Sequence, residues 1–287
     1  MPSILERRAA SLFSTAMFRP IMSGKPSDRI DATIRVLSNE LGLSSSTRNH
    51  DVVDAAYEVL SERYRSEYFY KNLITSKIFV GRHRASNAVL LNEFRVGNAV
   101  ADCVLINGTG VVYEIKTEFD SPDKLDRQLA NYYQAFPLVN VVAHANTAER
   151  YLRALEGSSA GLLVVGARGR LSTAKEAESD ESSLDTRTMF NALRLAEIEL
   201  VLRERFGVLP NVPNGIRYSE YLALAKKLPV VEFQRTMQKA LKLRAPRGDR
   251  ALLVESELAS LRSVVLQLDP DAVQGENLVN WLDSKES

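Results

Sequence analysis

The chain has 287 residues but a single cysteine, Cys103, so it can form neither an internal disulfide nor a cysteine-rich zinc site. Its three histidines, His50, His83 and His144, lack the close spacing that is typical of metal ligands. No apolar run approaches the roughly 18 residues that a membrane-spanning helix needs. These absences predict a soluble cytoplasmic protein, and we interpret the N-terminal segment 5–19 as an ordinary amphipathic helix.

The chain also lacks an excess of charge of either sign, because 37 Lys and Arg residues balance 36 Asp and Glu residues to a net charge of +1. That balance excludes a histone-like coat of positive charge, although a local basic patch can still bind nucleic acid. Hydrophobic residues make up 45% of the chain, which is enough for a packed core and excludes a disordered protein.

The pattern of hydrophobic residues predicts an α/β core. Apolar residues at helical spacing predict a helix from Asp51 to about Tyr64. Three short runs rich in β-branched residues then follow, at 88–96, 100–106 and 111–117, with Asn-Gly in the second connection. Asn-Gly between two such runs indicates a β-hairpin, so we expect three antiparallel strands.

Further elements extend this core. Ser121 and Pro122 are typical of a helix start and Pro137 of its end, and strands at 139–143 and 161–165 flank a helix at 148–155. An acidic, serine-rich stretch around 176–185 reads as a linker. Helices are then predicted over 186–206, 219–228, 230–243 and 249–268. We therefore expect a helical extension at 1–50, an α/β core at 51–175 with a mixed sheet flanked by helices, and a helical domain at 185–287.

The predicted hairpin carries charged residues within apolar strands. Glu114 and Lys116 are two positions apart, so they point to the same face of their strand. Asp102 lies between apolar neighbours on the preceding strand. Buried charges are costly unless they are paired or bind an ion, so these three residues are candidates for a functional site.

Whether the three meet depends on the hairpin register. Asp102 shares a face with Glu114 and Lys116 only if the loop has an odd number of residues or contains a bulge at Gly108 or Gly110. A regular loop of two or four residues would place Asp102 on the opposite face. The glycines and Asn107 make an irregular loop plausible, so we expect the three side chains to share a face.

Two carboxylates and a lysine at this spacing suit metal-assisted hydrolysis of phosphodiester bonds. Asp102, Glu114 and the backbone carbonyl of Ile115 offer the oxygen ligands that Mg²⁺ prefers, and Mn²⁺ is an alternative. Lys116 would position or activate the attacking water, because a lysine beside a metal changes its pKa readily.

Asp102, the Asn-Gly turn and Glu114-Ile115-Lys116 resemble the catalytic hairpin of the PD-(D/E)XK, or restriction-endonuclease-like, nuclease superfamily. Gln128 and Tyr132 resemble the Gln-x-x-x-Tyr motif of its RecB-like branch, in which both side chains line the active site. Glu93 resembles an acid found on the strand before the catalytic Asp in a bacterial subgroup, although that subgroup often has Arg where this chain has Val100. The resemblance covers about residues 50–170 and implies a restriction-endonuclease-like fold, Mg²⁺ or Mn²⁺, and usually DNA as substrate.

Other interpretations of these residues stay open. Glu114 and Lys116 can form a structural ion pair, Glu93 can be a solvated strand residue, and Glu58 or Glu62 can supply the extra acid instead. Gln128 and Tyr132 can be ordinary helix residues, and Glu118 is expected to lie too far along the strand. The alternative function is a non-catalytic protein of the nuclease fold that binds nucleic acid or a protein partner.

Two basic stretches are candidates for binding the nucleic-acid backbone. The first, between Arg63 and Arg84, mixes cations with aromatic residues, which can hold phosphates and stack on bases or can simply be core and solvated edge. The second, between Lys226 and Arg250, can be a helix pair that binds the DNA backbone or a solvated helical face.

A homodimer through the C-terminal helices is a further expectation. Toxin, phage-defence and repair roles all fit a bacterial nuclease of this kind.

Overall fold

A computed structural model describes residues 2–44, 46–82 and 88–285. The chain forms two compact units. The helical unit comprises Met1–Ala85, Ala167–Gly169 and Pro246–Ser287, and the sheet unit comprises Ser86–Gly166 and Arg170–Ala245. The α/β class with helices flanking a mixed sheet and added at both ends of the chain is therefore confirmed. Among the described residues, no helix has both the length and the apolar character to span a bilayer.

The helical unit is built from segments at both ends of the chain. Its helices are α1 (Ile4–Leu12), α2 (Thr15–Met22), α3 (Asp28–Glu40), α4 (Asn49–Glu62), α5 (Glu67–Ile74), α12 (Arg262–Leu268) and α13 (Ala272–Asp283). A π-helical segment, Thr75–Val80, continues α5. Helix α4 packs against α1, α3 and α13, so the predicted boundary at residue 50 does not coincide with an edge of this unit.

The sheet unit contains one six-stranded sheet in the order β1-β2-β3-β4-β5-β6. Its strands are β1 (Val89–Val96), β2 (Ala99–Asn107), β3 (Thr109–Lys116), β4 (Leu138–His144), β5 (Gly161–Val165) and β6 (Leu171–Lys175). Strands β1 to β3 form an antiparallel meander, β3 to β5 run parallel, and β6 returns antiparallel to β5. The five strands predicted from the sequence are present, and the polar edge strand β6 is an addition to them.

Helices cover one face of this sheet. The helices of the unit are α6 (Leu125–Tyr132), α7 (Ala148–Ala154), α8 (Thr186–Asn191), α9 (Leu195–Phe206), α10 (Asn214–Ala225) and α11 (Val230–Leu241). Leu129 of α6, Val112 of β3 and Met237 of α11 belong to one buried cluster. Helices α8 to α11, which follow the acidic stretch, therefore belong to the same compact unit as the sheet, because their apolar faces share its core.

Two predicted long helices are wrong in the structure. The helix expected over 186–206 is divided into α8 and α9, because Arg194 starts a new helix with its backbone N–H bonded to the Glu197 carboxylate. The helix expected over 249–268 is two 3₁₀ segments followed by α12, and α12 ends at Asp269, which has a left-handed backbone. Helix α13 was not predicted.

The glycine at position 110 is required by close packing against a helix end. A Cβ atom built there would lie 2.6 Å from Cδ1 of the fully buried Phe136. We expect Gly110→Ala to lower the free energy of unfolding by about 1–3 kcal/mol, because the neighbouring ring has no room to move. The matched control is Gly215→Ala in α10, where the added methyl group meets nothing within 4 Å. Urea unfolding of both variants tests this prediction. A Gly110→Ala variant as stable as the wild type would contradict it.

Candidate active site

The hairpin of β2 and β3 places Asp102 in register with Glu114. Asn107 pairs with Thr109 around the single turn residue Gly108, and the pairing continues to Cys103 with Tyr113. The next position along this register sets Asp102 opposite Glu114. The expectation of an odd loop is confirmed, and Asp102 therefore shares a face with Glu114 and Lys116.

The two strands part at this position. The backbone pairing of β2 with β3 ends at Cys103. Beyond it, a side-chain contact joins the two strands, in which the Ile115 N–H donates to Asp102 Oδ2 at 2.6 Å. Strand β2 remains paired with β1 as far as Ala99, and β3 remains paired with β4 as far as Lys116. Asp102 is thus fixed to the backbone of the strand that carries Glu114 and Lys116.

Glu114, Lys116 and Gln128 form a closed set of hydrogen bonds. Lys116 Nζ donates to Glu114 Oε1 at 2.8 Å and to Gln128 Oε1 at 2.7 Å. Gln128 Nε2 donates to the same Glu114 oxygen at 2.5 Å. Glu114 and Lys116 are only 2% and 7% exposed, so both charges are largely removed from water. The ion pair and the amide together offset a desolvation cost of several kcal/mol per charge.

Tyr132 joins the two parted strands. Its hydroxyl lies 2.6 Å from Glu114 Oε2 on β3 and 2.9 Å from the Val100 carbonyl oxygen on β2. Burial, together with the adjacent Glu114 carboxylate, raises the pKa of Tyr132 well above its usual value. The hydroxyl therefore stays protonated and acts as a donor, with its single hydrogen available to either acceptor. Gln128 and Tyr132 reach the same carboxylate because residues four apart lie on one face of α6.

Glu93 lies on the other side of Asp102. The β1–β2 pairing runs from Asn92 with Cys103 to Phe94 with Ala101, which sets Glu93 opposite Asp102. Glu93 is exposed and has a φ of 53°, a left-handed conformation that costs a non-glycine residue about 1 kcal/mol or more. The three carboxylates of Glu93, Asp102 and Glu114 therefore occupy neighbouring positions across three strands.

The other candidate acids are not on the strands of the sheet. Glu58 and Glu62 are on α4 of the helical unit, so they do not belong to the unit that carries the hairpin. Glu118 lies in a turn beyond the end of β3, so the expectation that it is too far along the strand is consistent with the structure. In the described part of the chain, no three side chains of His, Cys, Asp or Glu come together as metal ligands. The proposed ligand set of Asp102, Glu114 and the Ile115 carbonyl contains two such side chains and stays a prediction.

Two contacts of the hairpin were not predicted from the sequence. One is the Val100 carbonyl, which accepts from Tyr132 although the Val100 side chain is 39% exposed. The other is Gln238 of α11, which is 4% exposed and lies at the hairpin turn. When the side-chain amide is oriented so that both its nitrogen and its oxygen have partners, Gln238 donates to the Gly108 carbonyl at 2.6 Å and accepts from the Gly110 N–H at 3.2 Å. The sequence signal for this contact is a pair of glutamines four residues apart, Gln234 and Gln238, on the buried face of α11.

The basic stretches divide between core and surface. In the first, Phe69, Tyr70 and Phe79 are buried and Lys71 pairs with Glu67 at 2.6 Å, so these aromatic rings belong to the core of the helical unit. Arg84 lies outside the described residues. In the second, Arg244 is paired with Glu197 and Lys239 with Glu204, while Lys226, Lys227 and Arg235 are exposed.

The fold and this site define an α/β protein with a buried carboxylate–lysine cluster on a β-hairpin, covered by a helix that contributes Gln128 and Tyr132. The family model described as bacteriophage P4 protein cII matches residues 60–266, and the chain belongs to that family. The matched region includes the whole hairpin and α6. No curated protein and no solved structure matches the chain.

Proposed function

We propose that this protein is a metal-dependent nuclease of the PD-(D/E)XK type that hydrolyses phosphodiester bonds in DNA. The observation that carries the proposal is the convergence of Glu114, Lys116 and Gln128 in one buried hydrogen-bonded set, with Asp102 in register beside them. Gln128 and Tyr132 of α6 both contact the Glu114 carboxylate, which is the arrangement that the resemblance to the Gln-x-x-x-Tyr motif predicts.

The donor set fits a hard divalent cation. Asp102 and Glu114 supply carboxylate oxygens and Ile115 a backbone carbonyl, and Mg²⁺ commonly uses one or two carboxylates together with water. Mn²⁺ accepts the same oxygen ligands. A bound ion would stabilise charge on the phosphate and lower the pKa of its water. Lys116 contacts Glu114 Oε1 at 2.8 Å, so a bound ion would have to share or take over this oxygen.

Each protein group then has a distinct role. Lys116, released from Glu114, positions the attacking water and donates to the developing oxyanion. Tyr132 holds Glu114 Oε2, and Gln128 holds both Glu114 and Lys116, so these two residues orient the reacting groups. Glu93 provides a further carboxylate at the exposed side of Asp102. The exposed cations Lys124 and Arg127 lie at or next to the start of α6 and can contact the substrate backbone.

The test is an assay of the purified full chain on linear duplex, closed circular and single-stranded DNA and on RNA. Each substrate is incubated with Mg²⁺, Mn²⁺ or EDTA. The proposal predicts cleavage in either metal and none in EDTA, with Arg187→Ala, which removes an exposed cation of the same unit, as an unaffected control. Cutting of the circular substrate would identify an endonuclease.

The alternative is a non-catalytic protein of the same fold. The observation that favours it is that both Glu114 oxygens are already occupied by protein donors. Binding of nucleic acid without cleavage in any metal would support this alternative and reject the nuclease. The homodimer expected through the C-terminal helices stays a prediction that sedimentation of the same preparation can check.

A further inference from the structure

A cleft lies entirely within the helical unit, apart from the candidate active site of the sheet unit. Its volume is about 540 Å³, which is in the range of clefts that bind small organic ligands. Helix α4 forms one wall, and the opposite side comes from α5, the π-helical segment, Ala167–Gly169 and the segment before α12. Phe69 and Leu73 supply apolar surface, and both are buried.

Charges of both signs face this cleft. Asp54, Glu58 and Glu62 are four residues apart on α4, so their carboxylates form one row along the helix. The cations Lys77, Arg168 and Arg262 come from three other segments. Among the described residues, no ion pair joins the two sets, and Asp54 contacts only His50 in this way, at 3.5 Å. Both sets are therefore available to a ligand that carries an anionic group and several hydrogen-bond donors.

Each of the three cations is associated with a distinct feature of the backbone. Arg168 has a φ of 52°, and Gly169 follows with a φ of 67° and lies against Leu73 and Phe69. Lys77 belongs to the six-residue π-helical segment, a rare conformation that occurs often at functional sites. Arg262 also lines the cleft, and its Nε donates to the Leu253 carbonyl at 2.9 Å.

A buried polar group in the same cleft lacks a partner. The Ser260 hydroxyl has no hydrogen-bond partner among the described residues, and the residue is only 4% exposed. A buried hydroxyl without a partner is costly, but its oxygen is almost inaccessible to solvent in this conformation, so the proposed site does not depend on it. Asn72 beside it is already satisfied, since its Nδ2 donates to the Tyr57 hydroxyl and the Ala259 carbonyl.

We propose that this cleft binds a nucleoside monophosphate. The cations Lys77, Arg168 and Arg262 suit a phosphate dianion, and the carboxylate row accepts from sugar hydroxyls and from amino groups of the base. Inorganic phosphate alone would leave the carboxylates and most of the volume unused. This site is independent of the nuclease proposal, because none of its residues belongs to the hairpin or to α6.

Calorimetric titration of the full chain with AMP, GMP, CMP and UMP tests the proposal. We expect saturable binding of at least one nucleotide, and weaker or no binding of the matching nucleoside and of inorganic phosphate. Lys77→Ala and Glu58→Gln are each expected to weaken binding by about tenfold, since each removes one charge-assisted contact. Both side chains are exposed, so the variants should fold normally, and the exposed Lys25→Ala is the control that retains wild-type affinity.

Three outcomes would overturn the proposal. The first is the absence of binding by all four nucleotides at millimolar concentration. The second is binding that Lys77→Ala and Glu58→Gln leave unchanged, because the nucleotide would then occupy another place. The third is inorganic phosphate binding as tightly as the nucleotides, which would leave only an anion site.

Discussion

Glu114→Gln should reduce phosphodiester cleavage at least a thousandfold and should also destabilise the fold. The substitution removes a carboxylate that is proposed to hold the metal, and it leaves Lys116 buried without its counter-ion. Removing one partner of a buried ion pair costs about 3–5 kcal/mol. Lys116→Met should show the same two losses, because it leaves Glu114 buried and removes the group that positions water.

The double variant Glu114→Gln/Lys116→Met separates function from stability. With both charges gone, the desolvation cost disappears, so its free energy of unfolding should return to the wild-type value or exceed it. Its cleavage activity should remain at the level of the single variants. This combination would show that the pair is retained for chemistry, since a site that serves stability alone gains nothing from two buried charges.

Urea unfolding and single-turnover cleavage, measured on the same four proteins, check this prediction. A double variant that is less stable than both single variants would contradict the prediction that the Glu114–Lys116 ion pair does not stabilise the fold. Full activity in Glu114→Gln would contradict the assignment of the active site. Arg187→Ala again serves as the control, because its side chain is exposed in the same unit.

Arg244→Ala should destabilise the sheet unit by about 3–5 kcal/mol, the largest effect that we expect outside the active site. Arg244 donates to both oxygens of Glu197 at 2.6 Å and to the Ala192 carbonyl at 3.1 Å. It also lies 5.3 Å from the centre of the Phe94 ring. The variant leaves the Glu197 carboxylate buried and removes the contact that holds the break between α8 and α9.

This pair also predicts a pH dependence. Burial alone would raise the pKa of Glu197, but the hydrogen bonds from Arg244 and from the Arg194 backbone outweigh burial and hold this pKa below its usual value. The stability from Glu197 is therefore fully present above the usual glutamate pKa of about 4.3 and is lost as the pH falls through the lower folded value.

The midpoint of urea unfolding, measured from pH 7 to pH 3, tests this pair. The difference between wild type and Arg244→Ala should be largest near pH 7 and should shrink below about pH 4. Arg187→Ala, which removes an exposed arginine of the same unit, should stay within about 0.5 kcal/mol of wild type. An unchanged midpoint for Arg244→Ala would show that the pair does not stabilise the fold.

Local sequence signals predicted most strands of the sheet and the faces on which the candidate residues lie. The Asn-Gly turn and the β-branched runs predicted the hairpin, and the two-residue period placed Glu114 and Lys116 on one face. The four-residue spacing of Gln128 and Tyr132 likewise placed both on one side of α6. Whether these residues perform the proposed chemistry is a question for the assays.

Non-local features could not be predicted in the same way. The division into two units depends on the pairing of the N-terminal helices with α12 and α13, which are more than 200 residues away in sequence. Strand β6 is a polar edge strand, so it lacks the apolar alternation that marks a half-buried strand. The divided helix at 192–194 depends on Arg244, some 50 residues later, and no local pattern specifies it.

Single-turnover cleavage of end-labelled DNA by the wild type and by Lys116→Met, in Mg²⁺ and in EDTA, tests the central claim most directly. The account predicts that the wild type cuts in Mg²⁺ and not in EDTA. It also predicts that Lys116→Met cuts at least a thousandfold more slowly in Mg²⁺. Cleavage that is equal in the two proteins would contradict the proposed active site. The absence of cleavage by the wild type, with Mn²⁺ and RNA also tried, would contradict the proposed nuclease.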